Sequence, residues 1–289
     1  MAQKTVDKKR VVIVGATGLQ GGSVARTLAQ SPDRYLIRGL TRNPSSPKAQ
    51  ALTSLNIEVQ QADLDDPSSL KNAFRDAHII FAMTDFWQHM SATREEAQGK
   101  SIVDIAAELP QLETFIWAGL PDANTISGGV YPHVYHWQSK AAVTKYIKEE
   151  KPELWKKTAA VLFPNYLENC VTQPGTYLPI KKERRFEIWH QASAPLEIDK
   201  IRTDQLALAY GIDIRYHELS SEEFQGNLRK YMSDITALDF TEQLLIFRDF
   251  GMIYKRPEFV QANQLPGLKL TTWKEFMEAH DLHSYMTRA

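Results

Sequence analysis

The sequence has a single cysteine, Cys170, among its 289 residues. One thiol cannot form an internal disulfide bond, so the fold cannot depend on such a crosslink. The segment NYLENC around it carries no cationic neighbour that would activate a thiol. We therefore expect Cys170 to be a buried structural residue and not a nucleophile.

Long apolar stretches are also lacking. No run approaches the roughly 18 residues that a membrane-spanning helix requires. The amino-terminal segment MAQKTVDKKR has charges but not the apolar core that follows them in a signal peptide. These features predict a cytoplasmic protein without membrane contact.

Neither sign of charge is in excess, because 34 lysines and arginines face 35 aspartates and glutamates, for a formal net charge of −1. Such a balance creates no general field that would attract nucleic acid or an anionic membrane surface. The local basic run KKERR, at 181–185, is short enough to be a solvated face. The expected partner is therefore a small-molecule substrate or a regulated protein, and not nucleic acid.

What the sequence does contain is a regular alternation of short apolar runs and helical patterns up to residue 170. The pattern predicts helices at 20–30, after Asp66 as the N-cap, and at 91–109 and 138–149. It predicts six strands, at 10–16, 36–42, 57–63, 78–84, 114–120 and 159–164. Strands that alternate with helices predict an α/β fold with a Rossmann-type, doubly wound parallel sheet.

The alternation fails after residue 170, where prolines and glycines at 174, 175 and 179 break the pattern. Residues 198–211 predict a short strand and then a helix, and 239–254 and 272–280 predict amphipathic helices. We therefore predict two domains, a main domain at 1–170 and a smaller mixed C-terminal lobe at 171–289. A homodimer is left open, since the C-terminal helices could cover a pocket or pair with another subunit.

Three glycines follow the first predicted strand and open the next helix, in the stretch VVIVGATGLQGG. In this context Gly15 permits the tight turn, Gly18 lets the backbone approach a pyrophosphate, and Gly21 lets the helix pack on the strand. The free amides at the start of the helix then bind the phosphate. The pattern predicts a dinucleotide site in the main domain.

The end of the second predicted strand indicates which dinucleotide is bound. An NAD site places an acidic residue about 20 residues beyond the glycines to hold the ribose 2′-hydroxyl, but no acidic residue occurs between Asp33 and Glu58. Arg42 stands at that position instead, and a guanidinium can bind a phosphate through two parallel hydrogen bonds. The predicted cofactor is therefore NADP(H).

The motifs together resemble the NmrA-like family of atypical short-chain dehydrogenases, over most of residues 10–170. The chain is most similar to the HSCARG-type, NADPH-sensing branch, and the family also includes NADPH-dependent quinone reductases. The segments that carry the likeness are GATGLQGGSVARTL, TRNP, ADLDD, QGK at 98–100, Lys140 and FPNYLEN.

The resemblance implies roles for the matching positions. It implies that the pyrophosphate is held by Gly15, Thr17, Gly18, Leu19, Gln20 and Gly21. It implies further cofactor contacts, around the 2′-phosphate, the adenine, the ribose and the nicotinamide, from Arg42, Asp63, Leu64, Thr84, Lys100, Lys140, Tyr166 and Asn169.

Two departures from the family pattern stand out. Many relatives have serine in an SGL turn of the fifth strand, where this chain has Ala118-Gly119-Leu120. Relatives also insert a further strand and helix after the helical segment at 204–211, where this chain runs directly into YHELSSEEF. The C-terminal lobe is thus trimmed, and a substrate pocket cannot be carried over from relatives.

The stretch VYHWQSK raises the question of catalysis. Related reductases keep a tyrosine four residues before the lysine, but here Tyr135 lies five residues before Lys140 and His136 takes the fourth position. Five residues on a helix turn about 100° further than four, so Tyr135 cannot substitute. His136 is then a candidate proton donor beside Lys140. If the helix begins only at about Gln138, His136 is instead a loop or capping residue.

A metal site is not expected. His133 and His136 are three residues apart, but no third ligand of suitable spacing is visible.

The leading functional hypothesis is an NADPH-dependent reductase of a small, fairly apolar carbonyl, quinone or imine. Lys140 and His136 would be its catalytic residues, and its substrate would lie on a flat aromatic surface formed by Phe86, Trp87, Trp137 and Tyr166. Two alternatives remain open: a non-catalytic NADP(H) redox sensor that acts through protein partners, and a redox-neutral enzyme that keeps NADP(H) as a structural part.

Overall fold

The protein is described by a computed structural model that covers residues 7–163, 165–191, 197–251 and 253–288. By its residue contacts, the described chain forms two compact units. One contains residues 7–122 and 135–162, and the other contains residues 123–134 and 163–288. The predicted boundary near residue 170 places the short segment 123–134 in the first domain, whereas its contacts lie with the C-terminal residues.

The first unit is built on a six-stranded parallel sheet in the order β3-β2-β1-β4-β5-β6. This is the strand order of a Rossmann fold, so the predicted fold class is confirmed. All six strands fall where the apolar runs predict them, although Pro164, the last residue of the sixth predicted strand, lies outside the described residues. The strands are β1 (Lys9–Ile13), β2 (Tyr35–Thr41), β3 (Glu58–Gln61), β4 (Ile79–Ala82), β5 (Thr114–Gly119) and β6 (Thr158–Leu162).

Helices connect these strands. They are α1 (Leu19–Leu28), α2 (Pro47–Thr53), α3 (Pro67–Ala73), α4 (Ala92–Ala107), α6 (Tyr135–Glu150) and α7 (Pro152–Trp155). Asp66 caps α3 as predicted, since its carboxylate accepts hydrogen bonds from two backbone amides of the first turn. The start of α6 was predicted too late: the helix begins at Tyr135 and not at about Gln138.

The reason for the earlier start of α6 is packing. Tyr135, His136 and Trp137 have modest helix propensity, which favoured the later start. Trp137, however, is fully buried, and burial of a large aromatic ring outweighs differences of a few tenths of a kcal/mol in propensity.

The core of the first unit lies between the sheet and its helices. Buried strand residues such as Val12, Ile80 and Phe115 pack with helix residues such as Ile102 and Val143. The central strand β4, IIFA, is apolar throughout, as expected where both faces of a parallel sheet are covered, whereas the edge strand β3, EVQQ, is polar and partly exposed.

The second unit contains a three-stranded sheet in the order β7-β8-β9, and several helices. The strands are β7 (Ile180–Lys182), β8 (Arg185–Gln191) and β9 (Ile214–Leu219); β7 pairs with β8 antiparallel, and β8 pairs with β9 parallel. The helices are α5 (Ala123–Ser127), α8 (Asn169–Thr172), α9 (Pro174–Tyr177), α10 (Glu197–Tyr210), α11 (Ser221–Leu228), α12 (Asp234–Phe250), α13 (Trp273–Ala279) and α14 (Leu282–Arg288). The predicted smaller mixed lobe is thus present.

Two details of this unit correct the sequence prediction. The segment from 198, predicted as a strand and then a helix, is helical throughout in α10. Ile198 and Ile201 are three residues apart, which is helical spacing. Strands β7 to β9 were also not predicted as a sheet, although Phe186 and Ile188 are buried at alternate positions of β8.

Cys170 lies in a cluster with Leu178, Phe186 and Met286 and is 3% exposed, so its predicted burial is confirmed. None of the helices within the described ranges is long and apolar enough to cross a membrane.

Candidate functional site

A groove of about 380 Å³ opens beyond the carboxyl ends of β1 to β4 in the first unit. This is the edge of an open parallel sheet at which ligands bind. Six of the residues predicted to hold cofactor line the groove, namely Gly15, Thr17, Gly18, Arg42, Asp63 and Leu64. Three further predicted residues, Leu19, Gln20 and Gly21, form the first turn of α1 that follows directly.

The glycine loop leaves no room for side chains. Gly15 has φ +67°, a conformation that favours glycine, and a Cβ atom there would lie 2.7 Å from the Met83 sulfur. A Cβ atom on Gly21 would lie 2.5 Å from the carbonyl oxygen of Gly15. Gly18 is the N-cap of α1 and has no side chain to satisfy the first amides of the helix. The loop is therefore a tight cradle with its amide donors at a helix start, which fits a pyrophosphate.

Arg42, a predicted cofactor residue, directly follows β2 and lies on the wall of the groove. Its side chain is exposed, and within the described ranges no carboxylate forms an ion pair with its guanidinium. Gln61 donates to its backbone carbonyl oxygen at 3.2 Å, which fixes the strand end that carries it. The geometry thus leaves a guanidinium available to an anionic ligand.

A second arginine of the groove was not predicted. Arg94, near the start of α4, forms an ion pair with Asp65, and Gln98 donates to the same carboxylate at 2.9 Å. Hydrogen bonds from Arg94 and then from Gln98 lower the pKa of Asp65 below its ordinary value. All three residues line the groove. Arg94 and Asp65 form its charged rim, and the lowered pKa keeps Asp65 ionised at neutral pH.

The predicted residue Thr84 leads to a buried cluster next to the groove. It lies between the lining residues Met83 and Asp85, just after β4. The ammonium of Lys140 donates to the Thr84 carbonyl oxygen at 2.7 Å and to its hydroxyl oxygen at 2.8 Å. The structure thus brings Thr84 and Lys140 together, although they are 56 residues apart.

The third partner of Lys140 is Glu95, which was not predicted at all. Lys140 Nζ lies 2.7 Å from Glu95 Oε1, and the hydroxyl of Thr84 donates to the same oxygen at 2.7 Å. The hydroxyl of Ser139 donates to the other carboxylate oxygen. Glu95 is fully buried, so this carboxylate has exchanged water for three protein donors.

The contact between α4 and α6 explains why these groups meet. A Cβ atom on Gly99 would lie 2.4 Å from Cγ2 of Val143, so the two helices touch where α4 has no side chain. Glu95 lies one turn before Gly99, and Ser139 lies one turn before Val143. The glycine of the QGK motif therefore sets the approach that aligns the carboxylate with the hydroxyl.

His136 lies on α6 one turn before Lys140, so the alternative in which it precedes the helix is excluded. Its ring is buried, and its centroid lies 4.8 Å from that of Trp87 and 6.1 Å from that of Phe86. Phe86 and Trp87 belong to a short 3₁₀ turn after β4. Both predicted catalytic residues thus contact the segment that follows β4, and neither is among the residues that line the groove.

The residues predicted to form a flat substrate surface differ in exposure. Phe86 and Trp137 are almost fully buried, whereas Trp87 is 39% exposed. Tyr166 belongs to the second unit, as does the predicted cofactor residue Asn169 at the start of α8. In the first unit, then, Trp87 is the predicted aromatic that can present a ring face.

Lys100 is not brought to the groove. Its ammonium lies 2.7 Å from Glu96 and 5.1 Å from the ring centroid of Tyr146, and it is absent from the residues that line the cavity. The hydrogen bond that its ammonium donates to Glu96 raises the pKa of Lys100. In this structure Lys100 helps to join the outer faces of α4 and α6.

His133 has a partner of its own. Its ring nitrogen Nδ1 lies 2.6 Å from Glu242, and its backbone amide donates to the same carboxylate at 2.6 Å. Among the residues that the structure describes, no group of three histidine, cysteine or acidic side chains is arranged to hold a metal ion.

Glu95 was missed for an identifiable reason. An acidic residue in the first turn of a helix normally faces solvent and interacts with the helix dipole. The signal against that interpretation was spacing, because Glu95, Gly99, Ile102 and Ala106 continue one buried face of α4. Arg94 had no such signal, since its partner Asp65 is 29 residues away in sequence.

Comparison with known proteins places these features in context. The family model described as the NmrA-like family matches residues 7–206. An NmrA-like family domain-containing oxidoreductase of Aspergillus hancockii is 36% identical over 122 residues, which are 41% of this chain and 36% of that protein. The chain spans between about a third and a half of the length of the curated relatives it matches.

Two solved structures share the fold. Triphenylmethane reductase of Citrobacter sp. in complex with NADP(H) superposes with a TM-score of 0.64 at 16% identity, over 93% of this chain and 99% of that one. Nmra, a negative transcriptional regulator, superposes with a TM-score of 0.62 at 19% identity, over 88% of this chain and 85% of that one. Similarity at these identities shows a common fold, and one that serves both an enzyme and a regulator.

Proposed function

This chain belongs to the NmrA-like family, and from that premise we propose that it binds NADP(H) and reduces a small, fairly apolar carbonyl, quinone or imine. The observation that carries the proposal is the position of Lys140. Its ammonium is held on Thr84, between two residues that line the groove, and His136 lies one helical turn away. A relative is named an oxidoreductase, and a protein of the same fold is a reductase in complex with NADP(H).

The residues of the groove fit the proposed cofactor. The glycine loop offers amides where a Cβ atom would collide with the backbone, which suits the close approach of a pyrophosphate. Arg42 offers a guanidinium to the 2′-phosphate. Asp63 and Leu64 would border the adenine, at the carboxyl end of β3. Lys140 would act near the reacting half of the cofactor.

Reduction of a carbonyl requires a hydride at carbon and a proton at oxygen. Bound NADPH would supply the hydride and would thereby be oxidised to NADP⁺. In this proposal the protonated ring of His136 donates the proton to the oxygen and is later reprotonated by solvent. Lys140 keeps a positive charge beside the site, which stabilises negative charge that develops on the oxygen.

Trp87 supports an apolar, planar substrate. Its ring is partly exposed, stands at right angles to the ring of Phe86 at 5.2 Å, and lies against His136. A planar substrate stacked on Trp87 would therefore be close to the proposed proton donor.

The test is an assay of NADPH oxidation with a panel of quinones, aldehydes and cyclic imines. We expect turnover of at least one class, with a loss of at least about 100-fold in Lys140→Met and about 10-fold to 100-fold in His136→Asn. Lys145→Met, which alters an exposed lysine of the same helix paired with Glu149, should retain full activity. Turnover by Lys140→Met equal to that of the unmodified protein would refute the assignment of Lys140.

A second candidate function is a non-catalytic NADP(H) sensor. It is favoured by the three hydrogen bonds that already occupy the ammonium of Lys140, and by Ala118 at the end of β5, where relatives have serine. A fold shared with a negative transcriptional regulator also supports it. A sensor must bind the reduced and oxidised cofactors with different affinities in two conformations.

Three measurements distinguish the two candidates: substrate turnover, the affinities for NADPH and NADP⁺, and the hydrogen exchange of the protein in complex with each cofactor. The sensor predicts no turnover of any substrate, at least about a tenfold difference between the two affinities, and different exchange patterns in the two complexes. Turnover of a substrate, together with similar exchange patterns in the two complexes, would exclude the sensor and support the reductase.

A further inference from the structure

The cluster around Glu95 has an unusual composition for a protein interior. A carboxylate and an ammonium face each other at 2.7 Å; the carboxylate is fully buried, and the lysine side chain is 12% exposed. Two hydroxyl groups complete it, those of Thr84 and Ser139. The cluster joins three parts of the first unit, because Thr84 follows β4, Glu95 belongs to α4, and Ser139 and Lys140 belong to α6.

The hydrogen bonds of the cluster form a closed set. An ammonium has three donors, and Lys140 directs them to the Thr84 carbonyl oxygen, the Thr84 hydroxyl oxygen and Glu95 Oε1. The single donor of the Thr84 hydroxyl also goes to Glu95, and Ser139 satisfies the second carboxylate oxygen. Glu95 is thus the only full negative charge in contact with Lys140 among the described residues.

Stability alone does not account for such a pair. Desolvation of two charges costs several kcal/mol, and apolar residues of similar volume often do as well or better at such positions. A fixed ion pair does provide an ammonium in one rotamer, at one place. Here that place is Thr84, between the groove residues Met83 and Asp85.

We propose that Glu95 is the positioning residue of this site: it holds the ammonium of Lys140 on Thr84, so that Lys140 acts on bound NADP(H) as a fixed positive charge. The inference rests on the proposed function, because it concerns the same cofactor site. Glu95 is a positioning residue and not a catalytic one, since it reaches the site through Lys140 and Thr84.

The test is a double-mutant cycle on NADPH affinity, measured calorimetrically with the full chain. Glu95→Gln keeps the shape of the side chain and removes its charge; Lys140→Met removes the ammonium. We expect each single variant to bind NADPH about tenfold more weakly, and the double variant to bind like Lys140→Met alone. The effect of Glu95→Gln should therefore vanish once Lys140 is absent.

Three results would overturn the proposal. Glu95→Gln could bind NADPH as tightly as the unmodified protein, which would give Glu95 a purely structural role. It could weaken binding equally with and without Lys140, which would show that it acts independently of that lysine. The unmodified protein could bind no NADP(H) at all, in which case the proposed function falls as well; in the first two cases it stands.

Ser139→Ala keeps the cycle informative if Glu95→Gln does not fold. It removes one donor to the Glu95 carboxylate and leaves both charges in place. We expect a loss of about threefold in NADPH affinity that also vanishes in the Lys140→Met background. An equal loss in both backgrounds would count against positioning. Glu108→Gln, which makes the same chemical change in an exposed pair with Lys71, should change nothing.

Discussion

Two adjacent residues of α4 form ion pairs in very different surroundings. Arg94 pairs with Asp65 at the rim of the groove, where the two side chains are 50% and 39% exposed. Glu95, one residue further, pairs with Lys140 where the side chains are 0% and 12% exposed. A step of one residue turns a helix by about 100°, which is enough to move from the open groove to the interior.

The difference in burial determines what each pair can do. A pair in water gains little, because solvent screens both charges and holding two long side chains costs entropy. A buried pair is strongly coupled, since removal of one partner leaves the other charged and desolvated. The rim pair can therefore open for a ligand at small cost, whereas the buried pair keeps its geometry.

The largest effect should come from breaking the buried pair. Glu95→Gln or Lys140→Met alone should lower the free energy of unfolding by about 3–5 kcal/mol, since each leaves an unpaired buried charge. Urea denaturation of the cofactor-free protein measures it. The double variant should recover most of the loss; if its loss equals the sum of the two single losses, the two groups are not coupled.

A smaller effect should come from separating α4 and α6. Gly99→Ala places a methyl group in contact with Val143, and overpacking of this kind costs about 1–3 kcal/mol. Thermal unfolding should show this loss of stability. The double variant Gly99→Ala/Val143→Ala should lose less stability than the two single variants lose together. Gly226→Ala is the control, because a Cβ atom there meets nothing within 4 Å and alanine favours α11. Equal losses in Gly99→Ala and Gly226→Ala would argue against the helix contact.

The smallest effect should come from the rim pair. The pKa of Asp65 is lowered in the folded protein, chiefly by its hydrogen bond with Arg94. Its contribution to stability is therefore present above the unfolded pKa of about 3.9 and is lost as the pH falls through the lower folded pKa. Asp65→Asn should cause a small loss at pH 7 that shrinks in high salt and disappears in strong acid. A loss at pH 7 as large as that of Glu95→Gln would contradict the comparison.

Most of the first unit could be predicted because its signals are local. A buried strand ended by Gly15, the Asp66 cap and the Arg42 position are each readable within a few residues of sequence. The start of α6 was not readable in this way, because burial of Trp137 outweighs local propensity. The sheet of the second unit was missed although Arg185 and Glu187 alternate with buried residues in β8, because β7 has only three residues and β8 pairs with β9 across the intervening helix α10.

The residues of the candidate site also differ in whether local sequence predicts them. Residues on the glycine loop and at strand ends were predicted, since the sheet rule alone brings them to one edge. The partners Glu95 and Lys140 are 45 residues apart, and only the crossing of two helices at Gly99 brings them together. A contact of this kind depends on three-dimensional packing that no single segment encodes.

The most direct test of the central claim is a calorimetric titration of the unmodified protein and of Arg42→Ser with NADPH and NADH. We expect that the unmodified protein prefers NADPH by about tenfold or more, and that Arg42→Ser loses this preference while binding NADH as before. Arg75→Ser, which alters an exposed arginine that does not line the groove, should keep the preference. Binding of neither nucleotide, or an unchanged preference in Arg42→Ser, would contradict the account.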